Sequence, residues 1–268
     1  MHRIAIEEHF LLRELDDYFH TLVKDVSSES FDKVLPKFWD LDAGRLADMD
    51  KQGIERSILS RFDFGSVQLD PDSARAVEMA RRMNDILAER IKKHPDRFLG
   101  FAALPLQNAE ASVAEFRRCV TELGFRGAMA NGQTHGHYLD EQKYWPLWEA
   151  TQELDVPIYL HPWSSPPDQL KAYDCYPDIL GPTWNWTVET ATHALRLAVL
   201  RRSQGQASDH LLHAKQPVHH DERQRIAGVF DRGCHVARRG PHPICDGLSI
   251  RSRTRVSTEP RKRDPERG

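Results

Sequence analysis

Strand-like and helix-like segments alternate through residue 200, and this alternation constrains the fold more than any other feature. Apolar runs predict five strands, at 3–10, 54–60, 97–104, 125–130 and 156–160. Helical periodicity separates them and is clearest over 71–94, where apolar residues recur every three or four positions. This order predicts parallel strands joined by crossover helices. A barrel and an open doubly wound sheet both fit, although no glycine-rich phosphate loop follows the first strand.

The first predicted strand ends in the charged sequence Glu7-Glu8-His9. Residues two apart on a strand share a face, so Glu7 and His9 point one way and Glu8 the other. His161 follows the fifth predicted strand, and the carboxyl ends of barrel strands meet at one rim. Carboxylate and neutral imidazole are good ligands for divalent metals. We therefore predict a metal site at Glu7, His9 and His161, against the plainer interpretation that these are solvated residues at strand ends.

Composition limits the partners and the compartment. The net charge of −3 gives no electrostatic case for nucleic acid. No stretch has the apolar length of a membrane span, and the amino terminus lacks the apolar core of a signal peptide. The four cysteines form no Cys-x-x-Cys pair, which favours reduced thiols and a cytoplasmic location.

Several stretches, found in a consistent order and spacing over residues 3–199, carry a resemblance to a known family. They are Ile6-Glu7-Glu8-His9-Phe10, Asp96-Arg97-Phe98-Leu99-Gly100-Phe101-Ala102-Ala103-Leu104-Pro105, Glu122-Leu123-Gly124-Phe125, Leu154-Asp155-Val156-Pro157-Ile158-Tyr159-Leu160-His161-Pro162, and Gly181-Pro182-Thr183-Trp184 running into Glu189-Thr190 and His193-Ala194-Leu195-Arg196-Leu197. They resemble the amidohydrolase-related (ACMSD-like) metal-dependent decarboxylases, which include the γ-resorcylate and 2,3-dihydroxybenzoate decarboxylases.

The resemblance implies an α/β fold of the (β/α)8 TIM-barrel type, with about five strand–helix units recognisable here. It puts Glu7 and His161 on metal-ligand positions, His9 on a position that is His or Ala in relatives, and Trp186 near an aromatic residue that lines the substrate. The implied metal is zinc or manganese. The implied reaction is non-oxidative decarboxylation of a hydroxylated aromatic carboxylate by a homo-oligomer. Glu7-x-His9 in place of His-x-His favours this branch over the metal-dependent hydrolases of the wider superfamily, which remain an alternative.

Residues 200–268 depart from the family pattern. They contain neither the Gly-His-Met-Gly-Glu motif, which holds the family's catalytic His and its Glu partner, nor the Asp-Tyr-Pro or Asp-Trp-Pro stretch with the remaining metal ligand. We therefore assign no catalytic residue. We predict a truncated barrel domain over 1–199 and an Arg- and Pro-rich, non-family tail over 200–268 that is disordered or out of frame.

A shifted reading frame is our preferred explanation of this tail. Read one base later, degenerate codons for 219–224 and 238–250 are compatible with family stretches, including the strand that bears the aspartate ligand. The nucleotide sequence tests this hypothesis. A barrel that lacks three strands has open sheet edges, so we expect this chain to be poorly stable and inactive or nearly so. A non-catalytic fragment that associates with full-length subunits is the remaining alternative.

Overall fold

The structure, a computed structural model, describes residues 3–22, 29–61, 66–173 and 184–203. Its strands are β1 (Ile4–Phe10), β2 (Arg56–Arg61), β3 (Phe98–Gly100), β4 (Ala102–Ala103), β5 (Ala128–Asn131) and β6 (Ile158–His161). Its helices are α1 (Asp16–Leu22), α2 (Glu29–Trp39), α3 (Ala43–Gln52), α4 (Ser73–Ile91), α5 (Ala109–Thr121), α6 (Trp145–Leu154), α7 (Pro167–Leu170) and α8 (Trp186–Ser203). No helix in these ranges has the length and apolarity to cross a membrane. The predicted tail lies outside the described residues from 204 onward, so its separation from the barrel remains a prediction.

All strand pairs in the described ranges are parallel, in the orders β1-β2-β3 and β4-β5-β6. β3 and β4 are two halves of one strand that is interrupted at Phe101. The Phe101 N–H donates to the Leu59 carbonyl of β2 at 2.9 Å, whereas the next N–H, of Ala102, donates to the Gly127 carbonyl beside β5 at 2.9 Å. The strand therefore joins both sheets into five consecutive strand positions, as the alternation predicted.

The joined sheet is strongly curved. β1 and β6 lie four strand spacings apart, a separation of about 19 Å in a flat sheet. Nevertheless the Tyr159 hydroxyl of β6 donates a hydrogen bond to the Glu7 carboxylate of β1. Such a contact requires a closing curvature that brings the inner faces of distant strands together. The alternation of strands and helices was compatible with a barrel and with an open doubly wound sheet. The curvature favours the barrel, because an open doubly wound sheet would keep β1 and β6 apart.

Two apolar layers flank the strands. The inner layer lies inside the curve and is built from Ile58, Phe101 and Met129, with Tyr159 packed against it. The outer layer is larger and lies between the strands and the helices; among its members are Leu59, Phe98, Ala128, Leu87 and Phe116. Neighbouring residues of a strand alternate between the two layers because their side chains point to opposite faces. The carboxyl ends of the strands thus carry polar side chains next to the inner apolar layer.

Glycine determines two of the element boundaries. α3 ends at Gly53, whose φ of 66° is left-handed, a conformation that glycine adopts readily. The fourth predicted strand begins at Ala128 instead of residue 125. The reason is Gly127, which has a φ of 148° and lies so close to the Pro157 carbonyl that no side chain fits there.

Candidate metal centre

A β-bulge in β1 aims the first two candidate ligands. Between two successive register pairs of β1 and β2, two residues of β1, Ile6 and Glu7, lie opposite one residue of β2, Ile58. Ile6 packs in the inner apolar layer, and the extra residue turns the strand so that Glu7 and His9 also face the interior. Glu8 points outward, toward α3. The opposite faces of Glu7 and Glu8 follow the strand alternation, whereas nothing in the sequence predicted the bulge.

Glu7, His9 and His161 converge where β1 and β6 end. Glu7 Oε1 lies 3.7 Å from His9 Nε2 and 3.2 Å from His161 Nε2. The two imidazole rings meet edge to face with their centroids 4.9 Å apart. One ligand atom from each residue lies within 4.8 Å of the other two. The curvature of the sheet therefore brings together the three residues that the sequence singled out.

A polar contact at the second ring nitrogen orients each imidazole. His161 Nδ1 lies 2.9 Å from the Pro162 carbonyl oxygen, which can only accept, so Nδ1 is the protonated nitrogen. Nε2 is therefore the ring atom that faces Glu7, and it becomes the ligand atom when the ring is neutral. His9 Nδ1 lies 3.3 Å from the Ser60 hydroxyl. Contacts of this kind fix the tautomer and the ring direction of metal-ligating histidines.

Glu7 is held in its charged form. Burial alone raises the pKa of Glu7, but the facing imidazoles of His161 and His9 and the hydrogen bond from the Tyr159 hydroxyl outweigh burial and hold this pKa well below its usual range. Burial and the hydrogen bond to Glu7 raise the pKa of Tyr159, which therefore stays a neutral donor. A fixed anion that faces two imidazole nitrogens attracts a cation to the space between them.

The donor set fits a divalent metal. Ligand atoms bound at about 2.1 Å in tetrahedral or octahedral geometry lie about 3.0–3.4 Å from one another. The two distances from Glu7 to the histidines, 3.2 and 3.7 Å, approach that spacing. One carboxylate with two imidazoles suits both zinc and manganese. Within the described ranges, no second cluster of three or more histidine, cysteine or acidic side chains has such geometry.

Trp186, the predicted substrate-lining residue, lies beside a second tryptophan. Its ring stacks on Trp163 with centroids 6.0 Å apart and an interplanar angle of 26°. The Trp186 Nε1–H donates to the Ser164 hydroxyl at 3.1 Å. Trp163 follows His161 by two residues, so the pair borders the end of the strand that bears this candidate ligand. Two stacked indoles offer the flat apolar surface on which an aromatic ligand packs.

Three buried polar residues near this rim were not among the site residues that the sequence predicted. Asn131 pairs in register with His161, and its Oδ1 is buried without a hydrogen-bond partner within the described ranges. Glu189 and His193 on α8 are almost completely buried. The family-like stretches contained both residues of α8, but only the tertiary structure shows that they face inward.

Parallel strands that curve into a barrel, with a carboxylate and two imidazoles at their carboxyl ends, define an α/β-barrel protein with a candidate metal centre. The profile of the amidohydrolase family matches residues 36–223. The chain therefore belongs to the amidohydrolase family, and the predicted resemblance and (β/α)8 fold type are confirmed.

Three of the similar proteins are named decarboxylases. The chain is 46% identical over 203 residues to the γ-resorcylate decarboxylase of Rhizobium sp. (strain MTP-10005), and the match covers 73% of this chain and 60% of that protein. It is 41% identical to a solved 2,6-dihydroxybenzoate decarboxylase complexed with 2,6-dihydroxybenzoate, with a TM-score of 0.70 and coverage of 78% of this chain and 65% of that chain. It is 45% identical to a dihydroxybenzoic acid decarboxylase from Polaromonas sp. JS666 with bound manganese and the inhibitor 2-nitroresorcinol, with a TM-score of 0.65 and coverage of 73% and 59%. The chain spans about 60% of the length of the curated relatives it matches.

Proposed function

We propose that this chain is, by descent, a metal-dependent non-oxidative decarboxylase of a hydroxylated aromatic carboxylate. The observation that carries the proposal is the convergence of Glu7, His9 and His161 on one point inside the barrel rim. Manganese is the metal we favour, because the similar Polaromonas enzyme was solved with it. Zinc suits the same donors and is the second choice.

The chain's own residues would divide the work between holding the metal and holding the ring. Glu7 supplies the anion, and His9 and His161 supply neutral nitrogen donors. A bound metal would neutralise charge and fix the carboxylate and an ortho oxygen of the substrate in one geometry. The Tyr159 hydroxyl keeps the Glu7 carboxylate in position. Trp186 stacks with its neighbouring indole to give the substrate ring an apolar wall.

The proposed substrate class is the dihydroxybenzoates. One similar structure holds 2,6-dihydroxybenzoate and another holds 2-nitroresorcinol, which are flat rings that carry a carboxylate or a nitro group between two hydroxyls. The hydrolase alternative is not favoured, because the three similar proteins described above are named decarboxylases. Homo-oligomer formation, a cytoplasmic location and the lack of nucleic-acid and membrane partners remain predictions.

We expect turnover by this chain to be very low. The family motif that carries the catalytic His and Glu, and the stretch with the remaining Asp ligand, do not occur in 200–268. Three protein ligands hold a divalent metal less tightly than four, so manganese should bind but more weakly than in an intact relative. We assign no residue to the proton transfer.

Titration of the purified chain with Mn²⁺ by isothermal calorimetry tests the metal site. We expect one ion per chain, and we expect Glu7→Gln to abolish binding because it removes the charged ligand. Glu8→Gln is the matched control: it makes the same chemical change one residue away, on the outer face of β1. Absence of Mn²⁺ and Zn²⁺ binding, or equal loss in both variants, would overturn the site.

Release of CO₂ from 2,6- and 2,3-dihydroxybenzoate, measured with and without Mn²⁺, tests the activity. We expect at most a trace that depends on the metal and disappears in Glu7→Gln. Robust turnover would contradict the expectation of an impaired enzyme and would show that the tail supplies the missing groups. Metal binding without binding of either ring would refute the proposed substrate class.

A further inference from the structure

The buried face of α8 is polar. Glu189 and His193, one turn apart, are 1% and 0% exposed, whereas Leu195 and Val199 are 67% and 65% exposed. A helix that packs on a core normally buries its apolar side and exposes its polar side. A carboxylate and an imidazole removed from water cost free energy unless other groups bond to them. The contacts of this pair therefore show what it does.

Glu189 holds the start of the loop that follows β5. Its Oε1 accepts a hydrogen bond from the Gln133 backbone N–H at 3.1 Å. Both carboxylate oxygens lie against Gly132, where a Cβ added to the glycine would be 3.0 and 3.1 Å from them. Gly132 has a left-handed φ of 51°. The loop thus runs directly over the carboxylate, and a glycine is needed at the closest approach.

His193 holds the other end of the same loop. Its Nε2 accepts a hydrogen bond from the Leu139 backbone N–H at 3.0 Å, so Nδ1 is the protonated nitrogen. That Nδ1 faces Glu189 Oε1 at 3.7 Å. The Tyr138 ring meets the imidazole edge to face, with centroids 5.0 Å apart. Together the two side chains of α8 fix both ends of loop 132–139.

The other side of this loop lies against the aromatic pair and the end of β6. The Gly132 N–H donates to the His161 carbonyl at 3.0 Å, and the Gln133 side-chain amide donates to the Ser164 carbonyl at 3.2 Å. A Cβ added to Gly132 would also lie only 2.5 Å from the Cβ of Trp163, so the loop backbone passes close to this tryptophan. Ser164 in turn accepts from Trp186. The loop is therefore enclosed between the buried pair and the aromatic wall.

We infer that Glu189 and His193 are positioning residues: through loop 132–139 they hold Trp163 and Trp186 in the stacked arrangement that receives an aromatic ligand. Neither side chain belongs to the candidate metal cluster. Their loss should therefore change the aromatic wall and the affinity for the ring, and leave the affinity for the metal unchanged. The part of this inference that concerns the ring rests on the proposed function, whereas the part that concerns the tryptophans does not.

Circular dichroism tests the part that needs no ligand. Two stacked indoles give an exciton couplet, which is assigned to this pair by its loss in Trp186→Phe. We expect Glu189→Leu and His193→Leu to remove the couplet. Glu189→Gln should retain it, because the amide oxygen still accepts from the Gln133 N–H. A couplet that survives in both leucine variants overturns the inference.

Glu115→Leu is the matched control. Glu115 is also a buried carboxylate, but it bonds to Asn84 and Arg118 between α4 and α5, away from loop 132–139. Glu115→Leu should lower the stability of the protein and keep the couplet. If Glu115→Leu also loses the couplet, the loss in the α8 variants reflects lower overall stability, and the inference is overturned. If the leucine variants on α8 do not fold, Gly132→Ala decides, because its new Cβ would press on both Trp163 and Glu189. An unchanged couplet in that variant is then the refuting result.

Binding of 2-nitroresorcinol in the presence of Mn²⁺ tests the ligand part. We expect Glu189→Leu to raise the Kd of this probe about tenfold, as loss of one ordering hydrogen bond would do, with the Kd of Mn²⁺ unchanged. An equal rise in both constants contradicts a role confined to the aromatic wall. If the wild-type chain binds Mn²⁺ but not the probe, the proposed substrate class fails, and the couplet still decides whether the pair positions the tryptophans.

Discussion

Replacement of Arg45 by methionine should loosen the end of β1 that bears the candidate ligands. The Arg45 side chain on α3 is 10% exposed, and its Nη1 lies 3.6 Å from the outward-facing Glu8. Its Nη2 donates to the His9 carbonyl at 2.7 Å, and its Nε donates to the Asp40 carbonyl at 2.8 Å. Each hydrogen bond that involves a charged group contributes about 1.5–3 kcal/mol. Methionine keeps the apolar stem and removes these bonds, so the free energy of unfolding in urea should fall by about 3–5 kcal/mol.

The same substitution should weaken metal binding without touching a ligand. Arg45 fixes the His9 carbonyl, and therefore the backbone from which Glu7 and His9 reach the interior. Loss of residues that orient metal ligands costs about 10- to 100-fold in metal affinity. We expect the Kd of Mn²⁺, measured by calorimetry in the absence of urea, to rise within that range.

Arg97→Met is the matched control. Arg97 also bonds to two carbonyls and a carboxylate, those of Glu55, Ile54 and Asp50, at 2.9, 3.2 and 2.7 Å. These groups lie before β2, at the end of the barrel opposite the metal centre. The control should lose similar stability and keep its affinity for Mn²⁺. The reasoning is refuted if the two variants change Mn²⁺ affinity equally, because the effect would then follow global stability and not the position of β1.

Three further predictions concern the packed layers. Asn84→Leu should lower the free energy of unfolding in urea by about 3 kcal/mol, because the buried amide bonds both the N–H and the carbonyl of Ala103 at 2.9 Å; a loss below about 1 kcal/mol would contradict this. Burial raises the pKa of Asp70, but the two hydrogen bonds from Arg75 outweigh burial and hold this pKa below its usual range. The Asp70 carboxylate therefore stabilises the fold at a pH above the ordinary carboxyl pKa, and this stabilisation is lost as the pH falls through the lowered pKa of the folded state. Asp70→Asn should therefore be less stable than the wild type at neutral pH and converge with it in strong acid; parallel stability curves would argue against the pairing. Burial also raises the pKa of the Cys119 thiol, so iodoacetamide at mildly alkaline pH should label it only after unfolding, and rapid native labelling in peptide mapping would count against that burial.

The sequence alone predicted the positions of the strands and helices and the parallel direction of the strands. Apolar runs and helical periodicity are local signals, so the five strand positions and the helices between them could be located from the residues. The order of the elements implied parallel strands, and the strand period implied that Glu7 and Glu8 face opposite ways.

Tertiary structure decided how distant parts of the chain meet. The contact between Tyr159 and Glu7 joins residues 152 apart, and it exists because the sheet curves, which no local pattern encodes. The bulge at Ile6 is an irregularity of pairing between two strands, so β1 alone cannot reveal it. The polar burial of Glu189 and His193 runs against the periodicity of their own helix, because the partners that make it tolerable are backbone groups of a loop far away in the sequence. Local chemistry and the order of the strands thus indicated which side chains can bind a metal, and only the packed chain determined the distances and orientations in which they meet.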